Sequence, residues 1–224
     1  MDNSGINGFT THDGDDSALD YHVINSGSDG NAVRIDDFMF DAGRPFKELK
    51  DDLFGVKYVF ISHRHGDHLK GPTVRAIKKN FPRIQIIANS DVAKLAPVDI
   101  VLDPHDSVTL PNGVTVEAFL APHDVPCNGW VWVRDGKRYI WFTDGYNLHH
   151  APAGKYDVFF VEANHDQKLI ERVMNESQRK WGYDAVAGSL RHLSKQDAKA
   201  FYYMRRNDPD DPWIQLHKSA RFYG

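Results

Sequence analysis

His63-Arg64-His65-Gly66-Asp67-His68 follows directly on the apolar run Lys57-Tyr58-Val59-Phe60-Ile61-Ser62, and these two segments together decide the fold. A strand that delivers three imidazoles and a carboxylate at its end reads as a metal site. Histidine is the commonest protein ligand for zinc, and carboxylate is the usual oxygen ligand beside it. The two-residue period of extended chain puts His63 and His65 on one side. Asp67 and His68 fall beyond the turn at Gly66 and face a neighbouring point. One ion would take the first pair and a second ion the other.

The remaining ligands are expected where later apolar runs end. Val114-Thr115-Val116-Glu117-Ala118-Phe119-Leu120 alternates as a strand and leads into Ala121-Pro122-His123-Asp124. Tyr139-Ile140-Trp141-Phe142-Thr143 leads into Asp144-Gly145, and Trp213-Ile214-Gln215-Leu216 into His217-Lys218-Ser219. The set then reads as His63, His65 and His123 for one ion, Asp67, His68 and His217 for the other, with Asp144 bridging. That is the ligand set of a two-metal hydrolase, with zinc as the expected cation and manganese as the alternative.

This ordered pattern resembles the metallo-β-lactamase fold superfamily, whose motifs are an early Asp, HxHxDH, a His, an Asp and a final His. The resemblance runs from about Tyr21 to the C-terminus. It makes Asp41, in Phe40-Asp41-Ala42-Gly43, the early Asp that supports the ligand loop and binds no metal. It implies an αβ/βα sandwich of two mixed sheets with helices outside and metals at one edge. The hydrophobic patterning agrees with a mixed α/β layer protein. Strands are expected at about 31–40, 57–61, 84–88, 114–120, 130–134, 138–143, 157–161 and 213–217, and helices near 45–53, 72–80, 167–175 and 195–206. Asp135-Gly136 between two alternating runs reads as a tight hairpin turn.

Two further segments resemble one branch of that superfamily. Phe160-Val161-Glu162-Ala163-Asn164-His165-Asp166 and Arg191-His192-Leu193-Ser194-Lys195-Gln196-Asp197-Ala198 are similar to the tRNase Z motifs in which a Glu orients a His, and these place Glu162 and His192 in those roles. His217-Lys218-Ser219-Ala220-Arg221-Phe222-Tyr223 is similar to that branch's closing HFSSRY. The YycJ-type single-domain nucleases resemble the chain more closely still, through Ser26-Gly27-Ser28-Asp29-Gly30-Asn31-Ala32, Glu162-Ala163-Asn164-His165-Asp166 and Arg191-His192-Leu193-Ser194. Arg191 stands where that type carries Gly, and the final motif is His-Lys-Ser instead of His-Leu-Ser. An Asp at position 144, where many β-lactamases of this fold use Cys, argues against a β-lactamase.

The resemblance implies phosphodiester hydrolysis. Two cations would activate a water and clamp the scissile phosphate. Asp67 would accept a proton, and His192, oriented by Glu162, would protonate the leaving oxygen. The plainer readings are that Glu162 ends a strand and that His192 caps the helix starting near Ser194. His165 either touches the phosphate or holds its loop. Lys195 and Lys199 are the expected substrate contacts, within a basic group that includes Arg205 and Arg206. Further basic residues lie at Arg75, Lys78, Lys79 and Arg83, and at Arg179 and Lys180.

Composition sets the remaining bounds. The chain has 224 residues, enough for one sizeable core. Residues 1–20 carry five acidic side chains and no Lys or Arg, and are expected to be a mobile tail preceding a hydrolase domain over 21–224. Of 27 basic and 31 acidic residues overall, 27 and 26 remain outside that tail, so the rest is close to neutral. A polymer-binding enzyme usually carries a stronger basic excess, which keeps cyclic nucleotides and other small phosphodiesters in view beside DNA or RNA. A thioesterase or lactonase is the remaining enzyme reading. The segments between His123, Asp144 and Glu162 are too short for the protruding arm by which tRNase Z holds tRNA. No run of 18 apolar residues and no leader is seen, so a cytoplasmic protein without a membrane span is expected, with self-association left open. Trp130, Trp132, Tyr139 and Trp141 read as core, and the sole cysteine, Cys127, as a packed thiol.

Overall fold

The computed structural model describes residues 19–176, 183–219 and 221–223. The expected tail up to residue 18 and the basic pair Arg179 and Lys180 lie outside the described residues. Asp20, at the end of that tail, is held: its carboxylate accepts from Arg34 at 2.9 Å, and its carbonyl accepts from Asp36 N at 2.9 Å. The chain divides into two compact units, one ending at Val101 and one beginning at Leu102. Each unit has its own six-stranded mixed sheet.

The first unit runs β1 (Tyr21–Asn25), β2 (Ala32–Ile35), β3 (Phe38–Phe40), α1 (Phe46–Leu49), β4 (Tyr58–Ile61), α2 (Gly71–Asn80), β5 (Gln85–Ala88), α3 (Ser90–Ala93) and β6 (Ile100–Val101). Its strands lie in sequence order, antiparallel through β3 and parallel from β3 to β6. The single strand expected over 31–40 is in fact a hairpin. Asp36, at φ +50°, turns the chain so that Ile35 pairs with Phe38. Asp36-Asp37 interrupts the alternation, but the run from Ala32 to Phe40 contains no Gly, Pro or Asn to mark the turn.

All four residues of β4 are buried, as the continuous apolar run of an inner parallel strand requires. The pleat separates two surfaces. Met39, Val59, Ile61 and Ile86 pack with Leu49, Val74 and Ile77 of the helices. Phe38, Phe40, Tyr58 and Phe60 form an aromatic ladder on the alternate positions, with Phe40 and Phe60 stacked at 5.1 Å.

The second unit runs β7 (Ser107–Thr109), β8 (Thr115–Leu120), β9 (Asn128–Arg134), β10 (Lys137–Phe142), β11 (Val158–Glu162), α4 (Gln167–Glu176), α5 (Tyr183–Ser189), α6 (Lys195–Arg205) and β12 (Trp213–Leu216). Its sheet has the order β12-β11-β10-β9-β8-β7. The hairpin expected at Asp135-Gly136 is present. Both residues have positive φ, +50° and +74°, the left-handed pair that a two-residue turn between twisted strands needs. Trp130, Trp132, Tyr139 and Trp141 are all buried, so they are core and no stacking platform for a base. The alternate positions Val131, Ile140, Phe142, Phe159 and Val161 pack with Ala198 and Phe201 of α6. Cys127 is buried as expected. Among the described residues no helix is long and apolar enough to cross a membrane.

Candidate metal centre

In the first unit the ligand-type residues occupy the loop leaving β4, and Asp41 organises them. It sits just beyond β3, is fully buried and adopts φ +62°. One carboxylate oxygen accepts from Ser62 N at 2.8 Å and Ser62 Oγ at 2.9 Å, and the other accepts from His68 Nδ1 at 2.7 Å. The loop is also closed by backbone. Asn31 N donates to Asp67 O, Ala42 N to His68 O and Lys70 N to Ala42 O. Gly43 is obligatory here, because a Cβ on it would lie 1.7 Å from Asp67 O. The imidazoles converge, with ring centroids of His63 4.7 Å from His65 and 4.2 Å from His68.

The tautomers these contacts enforce suit a metal. Asp41 takes the Nδ1 proton of His68, which leaves the lone pair on Nε2. Asn31 Nδ2 donates to that lone pair at 2.9 Å, its amide oriented by Gly27 N donating to Oδ1 at 2.8 Å. An ion would displace Asn31 from it. Ser62 Oγ, its proton directed to Asp41, accepts from His63 Nδ1 at 3.0 Å, so His63 also presents Nε2. Asp67 is an exposed-side carboxylate, 24 % accessible.

In the second unit the candidates stand at four strand ends. His123 follows β8, Asp144 follows β10, Glu162 ends β11 and His217 follows β12. Asp144 and His217 have φ of +55° and +50°. Together with Asp41, three expected site residues thus adopt the sparsely populated left-handed region, which Asp and His tolerate better than most residues and which clusters at functional sites. Glu162 is fully buried. Its Oε1 lies 2.7 Å from His192 Nδ1 and 3.3 Å from His217 Nδ1, and its Oε2 accepts from Gly145 N at 3.3 Å. Asp144 Oδ1 is 3.3 Å from the same His217 nitrogen. The donor atoms of Asp144, Glu162, His192 and His217 all lie within 4.8 Å of one another. His123 is near them, its ring centroid 6.1 Å from that of His192.

The electrostatics follow from this crowding. Burial alone would raise the Glu162 carboxyl, but the charge of His192 and the contacts from His192 and His217 outweigh it and hold it below the usual carboxylate range. Burial would lower His217, yet Asp144 and Glu162 outweigh it and raise the ring above its ordinary value. His165 is buried, and burial lowers its pKa below the ordinary imidazole value. Its carbonyl accepts from Lys195 N at 2.8 Å, which ties the Glu162 segment to the His192 segment. Ser194 is the cap of α6, accepting from Asp197 N at 3.0 Å, so His192 does not cap that helix.

Three supporting residues carry no role in the motif reading. Ser62 relays between Asp41 and His63, Asn31 donates to Nε2 of His68, and Asn164 Nδ2 donates to His217 O at 2.8 Å. Ser62 stands directly before the His63 motif, and Asn31 and Asn164 stand inside motifs that assign them no task. Lys195 and Lys199 are one turn apart on α6 but serve different rings. Lys195 Nζ is 4.8 Å from the Tyr223 centroid, and Lys199 Nζ is 5.7 Å from that of Tyr203. Arg205 and Arg206 bond the carbonyls of Gly154 and Pro209.

The Beta-lactamase superfamily domain profile matches residues 23–204. The chain belongs to the β-lactamase superfamily. Its two mixed sheets with flanking helices are the α/β metallo-β-lactamase fold, and its His and Asp donors are those of a metal-dependent hydrolase of this superfamily. Solved structures agree on the fold. The metallo-β-lactamase fold protein YhfI of Bacillus subtilis is 14 % identical, with a TM-score of 0.63 over 89 % of this chain and 86 % of its own. The short form of human tRNase Z is 17 % identical, with a TM-score of 0.62 over 90 % of this chain and 93 % of its own. A long form of RNase Z from yeast is 14 % identical, with a TM-score of 0.52 over 88 % of this chain and 34 % of its own. No curated protein sequence matches the chain.

Proposed function

We propose that the chain is a two-metal phosphodiesterase acting on DNA or RNA, folded as one hydrolase domain from about residue 21 onward. In this reading His63, His65 and His123 hold one divalent cation, Asp67, His68 and His217 a second, and Asp144 bridges them, with zinc the expected ion. Bound there, the cations would supply Lewis acidity toward the phosphate and lower the pKa of a water. The motif likeness to tRNase Z and the YycJ-type nucleases supports a nucleic-acid substrate.

The observation that carries the reading is the contact of 2.7 Å between His192 and the buried Glu162 carboxylate. Breaking a phosphodiester expels an alkoxide, which leaves poorly unless protonated. Glu162 lies against Nδ1 of His192 and orients the ring, so that the other ring nitrogen can give a proton to the leaving oxygen. Asp67, the more accessible carboxylate, accepts the proton of the attacking water. Thioesters and lactones need such a proton donor less.

Exchange of His192 to Ala tests the assignment. The variant should keep its metal and slow a dinucleotide by about 10²–10⁴-fold, the usual worth of a general acid, while an activated aryl phosphodiester is far less affected. Equal slowing of both substrates would refute the general-acid role. The near balance of 27 basic and 26 acidic residues beyond the first twenty favours a second reading, hydrolysis of a cyclic or other small phosphodiester. Turnover of cyclic nucleotides without cleavage of linear strands would establish it.

A further inference from the structure

Position 218 is where the closing motif departs from the YycJ-type pattern, with Lys in place of Leu, and the structure shows what the replacement accompanies. Lys218 Nζ lies 5.0 Å from the centroid of the Tyr223 ring, and Lys195 Nζ lies 4.8 Å from the same centroid. Two ammonium groups thus share one aromatic ring. Lys218 is exposed and makes no ion pair among the described residues. Ring attraction holds each cation, but two like charges gathered on one ring repel, and an anion between them relieves that repulsion.

Their placement says which anion. Lys218 directly follows His217, and Lys195 is three residues beyond His192. The rings of His217 and His192 are 4.8 Å apart. The two backbones are pinned beside them, Lys195 N to His165 O and Ser219 N to Asn164 O, both at 2.8 Å. Tyr223 is itself anchored through its hydroxyl to Gln215 of β12. The cations therefore hang from the two segments that carry the leaving-group acid and one prospective ligand. Lysine is a flexible point charge suited to a phosphate.

We infer that Lys218 and Lys195, gathered on Tyr223, form an anion subsite that takes the phosphate next to the scissile one in a nucleotide chain. The inference rests on the phosphodiesterase reading for its substrate and on the geometry alone for its anion. Lys199, turned to Tyr203, lies outside the subsite.

Two measurements on the full chain as purified test it. The first compares a dinucleotide bearing an additional terminal phosphate, the same dinucleotide without it, and bis(p-nitrophenyl) phosphate. Lys218→Gln should raise KM about tenfold for the first substrate alone, with kcat unchanged, and Lys218→Arg should restore it. An equal change on all three substrates, or none on the first, overturns the subsite. The second is calorimetric titration with inorganic phosphate, which needs no turnover. Wild type should bind about tenfold more tightly than Lys218→Gln, whereas Lys47→Gln, in the other unit, should match wild type. Identical binding by wild type and Lys218→Gln overturns the subsite. No hydrolysis of any phosphodiester, together with Lys218-dependent phosphate binding, would refute the phosphodiesterase reading and sustain the anion subsite.

Discussion

In the unit ending at Val101 every prospective ligand comes from one six-residue loop, whereas in the unit beginning at Leu102 the ligands come from separate strand ends between His123 and His217. Each unit solves its assembly with one buried carboxylate. Asp41 gathers Ser62 and His68; Glu162 gathers Gly145, His192 and His217. The difference lies in what else holds the donors. The loop is laced by backbone hydrogen bonds from Asn31, Ala42 and Lys70. The dispersed set is held by strand register, by side chains and by backbone bonds between distant segments, such as Lys195 N to His165 O and Ser219 N to Asn164 O. Damage to the backbone lacing of the loop should therefore register as lost stability, and loss of a donor from either set as lost chemistry.

The sharpest way to break this contrast is to remove a donor from each side. Asp144→Ala and Asp67→Ala should each lower hydrolysis by more than about a hundredfold, beyond the 10–100-fold that loss of a merely supporting partner costs. Elemental analysis should show fewer than two ions per chain in both. Full metal content with full activity in either variant would remove that residue from the ligand set.

A smaller effect separates architecture from chemistry. Gly43→Ala should destabilise the fold by about 3 kcal/mol, since the new Cβ would meet backbone, with Asp67 O at 1.7 Å and Asn31 N at 2.8 Å. Gly66→Ala is the control. It lies inside the ligand loop, yet a Cβ there meets nothing within 4 Å, so denaturation should change by less than about 0.5 kcal/mol. Equal effects of the two substitutions would show that the loop is not held by the close approach at Gly43.

The smallest expected effect lies in the core of the second unit, away from its donors. Burial pushes the Tyr156 hydroxyl up to about 12. Between its ordinary value of 10.0 and about 12 the unfolded chain loses this proton while the folded chain keeps it. The stabilisation is complete below the unfolded value and is lost as pH rises through the folded one, amounting to up to about 2 kcal/mol. Denaturant titrations from pH 9 to pH 12 should show this loss, and Tyr156→Phe should flatten it. An unchanged alkaline slope in Tyr156→Phe would assign the effect to other groups.

How much could be read beforehand follows the same division. The loop from His63 to His68 was legible because its donors are contiguous, and His123, Asp144 and His217 because each directly follows an apolar run. Ser62, Asn31 and Gly43 were not, because their importance depends on approaches such as Asn31 N to Asp67 O, which no local pattern records. Short elements escaped for a related reason. β1, β6, β7, α3 and α5 are too brief to show a period, and the β2–β3 hairpin carries no Gly, Pro or Asn at its turn. Lys195 and Lys199 are equivalent by spacing on α6, but the rings they lie over differ.

Asp41, Asp144 and His217 share a left-handed backbone at the ends of their strands. Each bend is enforced by the sheet and by contacts with neighbouring residues, so the conformational entropy of aiming these side chains is spent when the chain folds and not when an ion arrives. On the proposed two-metal reading, an ion would meet the donors of each unit already aimed, unlike a zinc finger, whose polypeptide orders only around its metal. For such a centre, affinity is governed by competition between protons and cations for the imidazole lone pairs, and a chelator should strip the ions while leaving both sheets intact.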